Sequence, residues 1–302
     1  METQNRLKPE VFELLSKSDQ ERIDFILKDK WVGYTVAKNI LSEMEDLLSV
    51  PKRQRKKFIF IEGKTGNGKT TLLRHFYELH PAYFENGMLV SRVIYIEGPS
   101  GPSVDELYAN ILFALNAPIV STTVGKKIQL RKILPKVKAE MLLIDNFHDF
   151  KYGNSDLRKK YVAAVRKLAT DFEINLSIVA TGTYIARNVI ENDAQIYSRF
   201  RFRSLPVWRN NNIFRSLLYN FEKIIPLKKE SELFSDKLVN RILTLSEGIL
   251  ANIEEIIQDS ALLAIKTGKE RIDEEILKTI PFNTKHQPQP VEKSEYPEDY
   301  QK

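Results

Sequence analysis

Residues 63–70 read GKTGNGKT and follow directly on the apolar run KFIFIEG (57–63). The spacing fits G-x-x-x-x-G-K-[ST] at every required position. Gly63, Gly66 and Gly68 permit a tight loop whose backbone N–H groups point inward. A helix beginning near Lys69 would add the positive end of its dipole, so the concavity suits a triphosphate. The loop therefore demands a strand before it and a helix after it. Gly63, Lys64, Thr65, Gly66, Asn67, Gly68, Lys69, Thr70 and Thr71 are the candidate nucleotide-binding residues. Lys69 is expected to reach the outer phosphates of ATP, and the Thr70 hydroxyl to ligand Mg2+.

The rest of the chain supplies the scaffold such a loop needs. Short β-rich runs recur at 91–98 (SRVIYIEG), 141–145 (MLLID), 175–182 (NLSIVATG) and 200–207 (FRFRSLPV), separated by stretches with helical periodicity. Continuous apolar strands alternating with helices predict an α/β fold with a parallel sheet covered on both faces. Residues 1–57 read as an N-terminal helical segment leading into a nucleotide-binding α/β domain at 58–230. Residues 231–280 read as a small α-helical lid. From Pro281 the sequence loses periodicity and becomes rich in Pro, Gln and charge, which predicts a disordered tail over 281–302.

Composition narrows the function classes. Apolar residues make up 42% and charged residues 28%, ordinary values for a soluble globular chain. No apolar run approaches the ~20 residues that span a bilayer, and the N-terminus is too polar for a signal peptide. There are no cysteines and four scattered histidines, which excludes disulfides and thiolate metal sites and points to the cytoplasm. The net charge of +6 permits a polyanionic partner.

The run MLLIDNFHDF (141–150) delivers Asp145 to the end of a strand, where it is expected to hold Mg2+ through its water shell. A polar residue at the end of the following strand, Thr181 or Thr183, is a candidate sensor of the outer phosphate. Asn146 stands beside Asp145, and a neutral amide orients water but accepts a proton poorly.

These residues in this order resemble an AAA+ ATPase, and more narrowly the TniB/TnsC family of transposition regulators. The family marks are WVGY (31–34), PKRQRKKFIFIEG before the phosphate loop, IDNFHDF, YSRFRFRSLPVW (197–208) and FEKIIPLKKES (221–231). The resemblance implies an AAA+ P-loop sheet with a C-terminal all-α lid. It implies a homo-oligomer, ring or helical filament, assembled with ATP on double-stranded DNA, linked to a DDE-type transposase and often to a TniQ-like adaptor. It also places Trp31 and Tyr34 near the adenine. Arg199, and after it Arg201, stand where such proteins present an arginine finger to a neighbouring subunit.

Two positions depart from the family pattern. Asn146 occupies the place of the usual glutamate that polarises the attacking water, and EGILANIEE (247–255) carries Ala251 and Asn252 where many lids place an arginine. Both predict slow hydrolysis, with Asp149 or Glu97 as substitute bases. For DNA, PKRQRKK (51–57) and GKKIQLRKILPKVK (125–138) compete. The resemblance favours the second, with Lys126, Lys127, Arg131 and Lys132 contacting backbone phosphates without reading bases. The rival functions are an active DNA-remodelling ATPase such as a helicase loader, and an ATP-bound scaffold that never hydrolyses.

Overall fold

The computed structural model describes residues 6–49, 56–147, 155–191 and 197–280. In chain order the elements are α1 (Pro9–Phe12), a 3-10 turn (Glu13–Ser16), α2 (Asp19–Ile26), α3 (Thr35–Ser49), β1 (Phe58–Glu62) and α4 (Lys69–Leu79). A hairpin follows, β2 (Tyr83–Glu85) and β3 (Met88–Val90), then β4 (Val93–Glu97), α5 (Val104–Ala114), α6 (Thr123–Lys136) and β5 (Met141–Asp145). The chain continues through α7 (Ser155–Thr170), β6 (Ser177–Gly182), α8 (Tyr184–Glu191) and β7 (Phe200–Ser204). It ends with α9 (Asn212–Glu222), α10 (Asp236–Ser246), α11 (Leu250–Lys266) and α12 (Glu274–Thr279).

Five strands form one parallel sheet in the order β4-β5-β6-β1-β7. Every residue of β1, β5 and β6 is buried, as expected of strands covered on both faces. The period-two rule sorts their side chains. Phe58, Phe60, Ile94, Ile96, Leu142, Ile144, Ile178 and Ala180 point to a core shared with α5, α6, α7 and α8. Helix α4 packs across β4, β5 and β6 and contributes Leu72, Leu73 and Phe76 to separate burial. The five runs read as strands from the sequence are the five strands of this sheet. The β2–β3 hairpin was not among them. It turns on Asn86 and Gly87, both at positive φ (51° and 75°), the Asn-Gly signature of a tight two-residue turn.

The chain divides into two compact units. One comprises residues 39–205 and holds the sheet; the other joins residues 1–38 to residues 206–302. The N-terminal helices therefore pack with the C-terminal ones. Helix α2 lies against α11, and its Arg22 is fully buried. Arg22 Nη1 and Nη2 donate to Glu270 Oε2 and Oε1 at 2.8 and 2.7 Å, and further bonds reach the Pro226 carbonyl and Asp19. The buried Glu222 accepts from the backbone amides of Ser231, Glu232 and Leu233 and so closes the turn before α10. Among the described residues no helix is long and apolar enough to cross a membrane. Residues 281–302, expected as a tail, and residues 51–55 of the first basic run lie outside the described residues.

Burial works against the charged form of Glu270, but the bonds from Arg22 and the Lys228 amide outweigh it and hold its carboxyl below the usual range. A depressed folded-state value contributes stability above the unfolded carboxyl value of about 4.3, lost as pH falls through the folded value. Glu270→Ala is expected to lower unfolding stability by about 3–5 kcal/mol at pH 7, because it strands a buried guanidinium. The gap between wild type and variant in urea melts narrows below about pH 4.

Candidate nucleotide site

The carboxyl ends of β1, β5 and β6 bring the sequence motifs together. Helix α4 begins after its N-cap Gly68, and among the described residues no side chain caps it. Its first N–H groups are left to face the loop, the arrangement that receives anions at helix N-termini. Gly66 and Gly68 adopt φ of 80° and 83°, left-handed values open to glycine. Gly63 meets a closer limit, since a Cβ there would lie 3.3 Å from that of Leu205.

Lys69 is buried, and its ammonium donates to the carbonyls of Gly63 (2.7 Å) and Lys64 (2.9 Å). Burial pulls it below the usual lysine range, opposed by the Asp145 charge. A phosphate within its reach would offset that desolvation better than neutral carbonyls do. Asn67 is buried, Thr70 half-buried, and Thr65 and Thr71 are exposed.

Asp145 is 1% exposed at the end of β5. Its Oδ1 accepts from the Thr181 hydroxyl (2.5 Å) and the Asn146 amide (3.0 Å), and its Oδ2 from the Tyr95 hydroxyl (3.0 Å). Three neighbouring strands thus converge on one carboxylate. Tyr95 was not singled out from the sequence, although a phenol inside the apolar run VIYIE was its visible signal. Burial first, then the Asp145 charge, pushes the phenol up to about 12, and Arg74 on α4 bonds to it. Glu97 lies in register with Asp145 across the β4–β5 pair and is exposed. Asp149 lies outside the described residues.

Asn146 has φ of 54°. Its amide also donates to Thr181 Oγ1 (3.1 Å), and the next amide, of Phe147, donates to the Thr181 carbonyl (2.7 Å). This left-handed step ends the strand and turns the buried Phe147 toward Phe60 and Tyr161. Asparagine tolerates the conformation, whereas most L residues lose roughly 1–2 kcal/mol in it. The step also explains Gly98, whose amide donates to the Asp145 carbonyl at 2.6 Å. A Cβ at Gly98 would lie 2.6 Å from the Asn146 carbonyl oxygen.

A second acid borders the loop. Glu62 is 3% exposed and accepts from Arg187 Nη1 (3.0 Å) and Ser204 Oγ (2.7 Å). The Arg187 guanidinium also lies 4.7 Å from the centroid of the Phe202 ring. On β7, Arg203 forms a two-point pair with Glu43 of α3 (2.7 and 2.8 Å), and Arg201 sits at the edge of the same carboxylate at 4.0 Å. Arg199 is half-buried just before β7, and its carbonyl accepts from the Phe58 amide.

Trp31 and Tyr34 belong to the other compact unit. Tyr34 is a buried aromatic, edge-on to Trp208 at 4.9 Å between centroids, and burial raises its phenol. Of the basic residues on α6, Lys126 is 5% exposed and donates to Asp105 on α5. Arg131 pairs with Asp171 (3.3 Å) and Glu173 (3.1 Å), while Lys132 is exposed and Lys127 half-exposed. Among the described residues no group of three or more His, Asp or Glu could hold a metal ion alone. Asp145 and Thr70 offer oxygen donors of the kind that a largely hydrated ion such as Mg2+ takes.

The family model described as "Bacterial TniB protein" matches residues 22–210. No curated protein matches the sequence. Among solved structures, Cdc6p from Pyrobaculum aerophilum is similar with a TM-score of 0.60 at 16% identity, covering 82% of this chain and 68% of that one. The Aeropyrum pernix ORC1 protein in complex with DNA gives 0.58 at 16% identity, covering 85% and 67%. The Aeropyrum pernix ORC2 protein gives 0.58 at 12%, covering 84% and 69%. The fold is that of the AAA+ ATPases, a parallel sheet with helices on both sides and C-terminal helices.

Thr181→Val is expected to cost about 1.5–3 kcal/mol in chemical denaturation, because a buried carboxylate loses a hydroxyl donor. Thr181→Ser, which keeps the hydroxyl, recovers most of that loss.

Proposed function

Because the chain belongs to the bacterial TniB protein family, we propose that it is an ATP-dependent DNA-binding regulator of transposition. In this reading ATP and Mg2+ drive a homo-oligomer, ring or filament, onto double-stranded DNA, and the assembly recruits a DDE-type transposase, with a TniQ-like adaptor as a further partner. The observation that carries it is the glycine loop set against the hydrogen-bonded Asp145. Further support is the shared fold of the Aeropyrum pernix ORC1 protein, which was solved in complex with DNA.

In this reading the residues divide the work as follows. Lys69 exchanges the Gly63 and Lys64 carbonyls for the outer phosphates. Thr70 and Asp145 hold a hydrated Mg2+, which when bound neutralises phosphate charge. Thr181 and Tyr95 fix the two oxygens of Asp145, so the carboxylate meets the ion without reorganising. Arg199, with Arg201 second, supplies positive charge to the site of a neighbouring copy, and Trp31 and Tyr34 serve the base. Asn146 orients water without taking its proton, so the ATP state is long-lived and release depends on slow turnover or on a partner. For DNA, Lys127 and Lys132 offer phosphate contacts. Arg131 must exchange its carboxylates to join them, and Lys126 is assigned to holding α5 to α6.

Phosphate release with and without duplex DNA tests the slow switch. Wild type should turn over well below the usual range of about 1–10³ per second. Asn146→Glu should be faster by about 10²-fold or less, since a missing base accounts for about 10²–10⁴ and the left-handed backbone resists glutamate. Rapid DNA-stimulated turnover in wild type, unchanged in the variant, indicates a remodelling ATPase instead; no turnover in either indicates a scaffold. Lys69→Ala should abolish ATP-dependent assembly on duplex DNA, and normal assembly by that variant would sink the ATP gate.

A further inference from the structure

Helices α6 and α7 bring together cations that lie forty residues apart in the sequence. A shallow notch between them is floored by Leu130, Leu168 and Ile174, and its rim carries Lys127 and Arg131 from α6 and Lys167 from α7. Lys127 and Lys167 line the same notch, near enough for the charge of one ammonium to act on the other. Among the described residues neither forms an ion pair with a carboxylate. Asp171 also lines the notch and partly offsets the charge on Lys127, while it and Glu173 pair with Arg131.

Two like charges at short range repel, and the pair contributes nothing favourable to folding by itself. The Lys167 charge, with Arg131 beyond it, accordingly depresses the Lys127 ammonium below the lysine range. An anion placed between the two reverses the sign of the interaction, because each ammonium then faces a charge-assisted acceptor. The solvent side of α7 adds exposed Lys159 and Lys160, so the positive field extends along a second helix that the sequence did not flag as basic.

We propose that Lys127 and Lys167 form a seat for a phosphate of the duplex DNA backbone, carrying the DNA-facing surface from α6 across to α7. The seat deepens the DNA-binding reading given above and rests on it. Its chemistry is that of a phosphodiester held between two ammonium groups, with no contact to base edges.

The test is duplex affinity by fluorescence anisotropy, in the presence of Mg2+ and a non-hydrolysable ATP analogue, across a salt series. The double variant Lys127→Ala/Lys167→Ala should bind about tenfold more weakly on any sequence, and its salt slope should fall by about two. Its melting temperature should equal or exceed that of wild type, since a repulsive pair has been removed. Lys127→Arg/Lys167→Arg should bind within about twofold of wild type, because charge and donors are kept.

If wild type binds duplex and the alanine variant matches it in affinity and slope, the seat is wrong and the DNA reading stands. A fall in melting temperature that accounts for the lost binding also overturns it, by showing a packing role. If wild type binds no duplex at any salt, the DNA reading itself fails. Inorganic phosphate and phosphatidylserine vesicles serve as competitors. Displacement of duplex by millimolar phosphate, or preference for vesicles, overturns the assignment to a nucleic-acid backbone.

Discussion

The carboxylate of Asp145 is the point on which the sheet-bearing unit is organised. It is buried, and it is held by a hydroxyl from β6, a phenol from β4 and the amide of its own successor. The hydroxyl and the phenol come from strands whose places in the sheet are fixed by an apolar register. A buried charge is tolerable only with such partners, so the sheet order and the site are one constraint seen twice. The phosphate loop leaves the adjoining strand, and its lysine senses the same charge. Moving any of the three strands by one residue would exchange a donor for an apolar side chain.

The same carboxylate explains the unusual neighbour. The Asn146 backbone is left-handed, and its amide serves both Asp145 and Thr181. The position is sterically constrained as well, because its carbonyl requires the bare Cα of Gly98. A substitution there therefore changes the backbone turn as well as the side chain.

Much of this was legible in the sequence, for physical reasons. The loop was read because glycine and lysine at fixed spacing have few other uses, and β1, β5 and β6 because strands buried on both faces are continuous apolar runs. Thr181 was read as a polar strand end, but its bond to Asp145 required the register between β5 and β6. The β2–β3 hairpin escaped, since its three-residue strands are too short to show alternation and Tyr83, Phe84 and Met88 face solvent. Lys126 read as one more exposed cation of a basic helix; only the packing of α5 beside α6 shows it turned to Asp105. The meeting of Lys127 with Lys167 was invisible for the same reason, because charge patterning along one helix carries no information about the next.

Arg22 and Glu270 are 248 positions apart in the chain, and that separation has a consequence for how the protein is made. At about 5–20 residues per second, synthesis leaves the finished α2 waiting roughly 12–50 s for the segment that neutralises its guanidinium. During that interval the contiguous sheet unit can fold while the first helices have no permanent place. Helix α2 is thus synthesised before the sheet unit and secured only after it. Its exposure to chaperones and proteases is set by the speed of the ribosome.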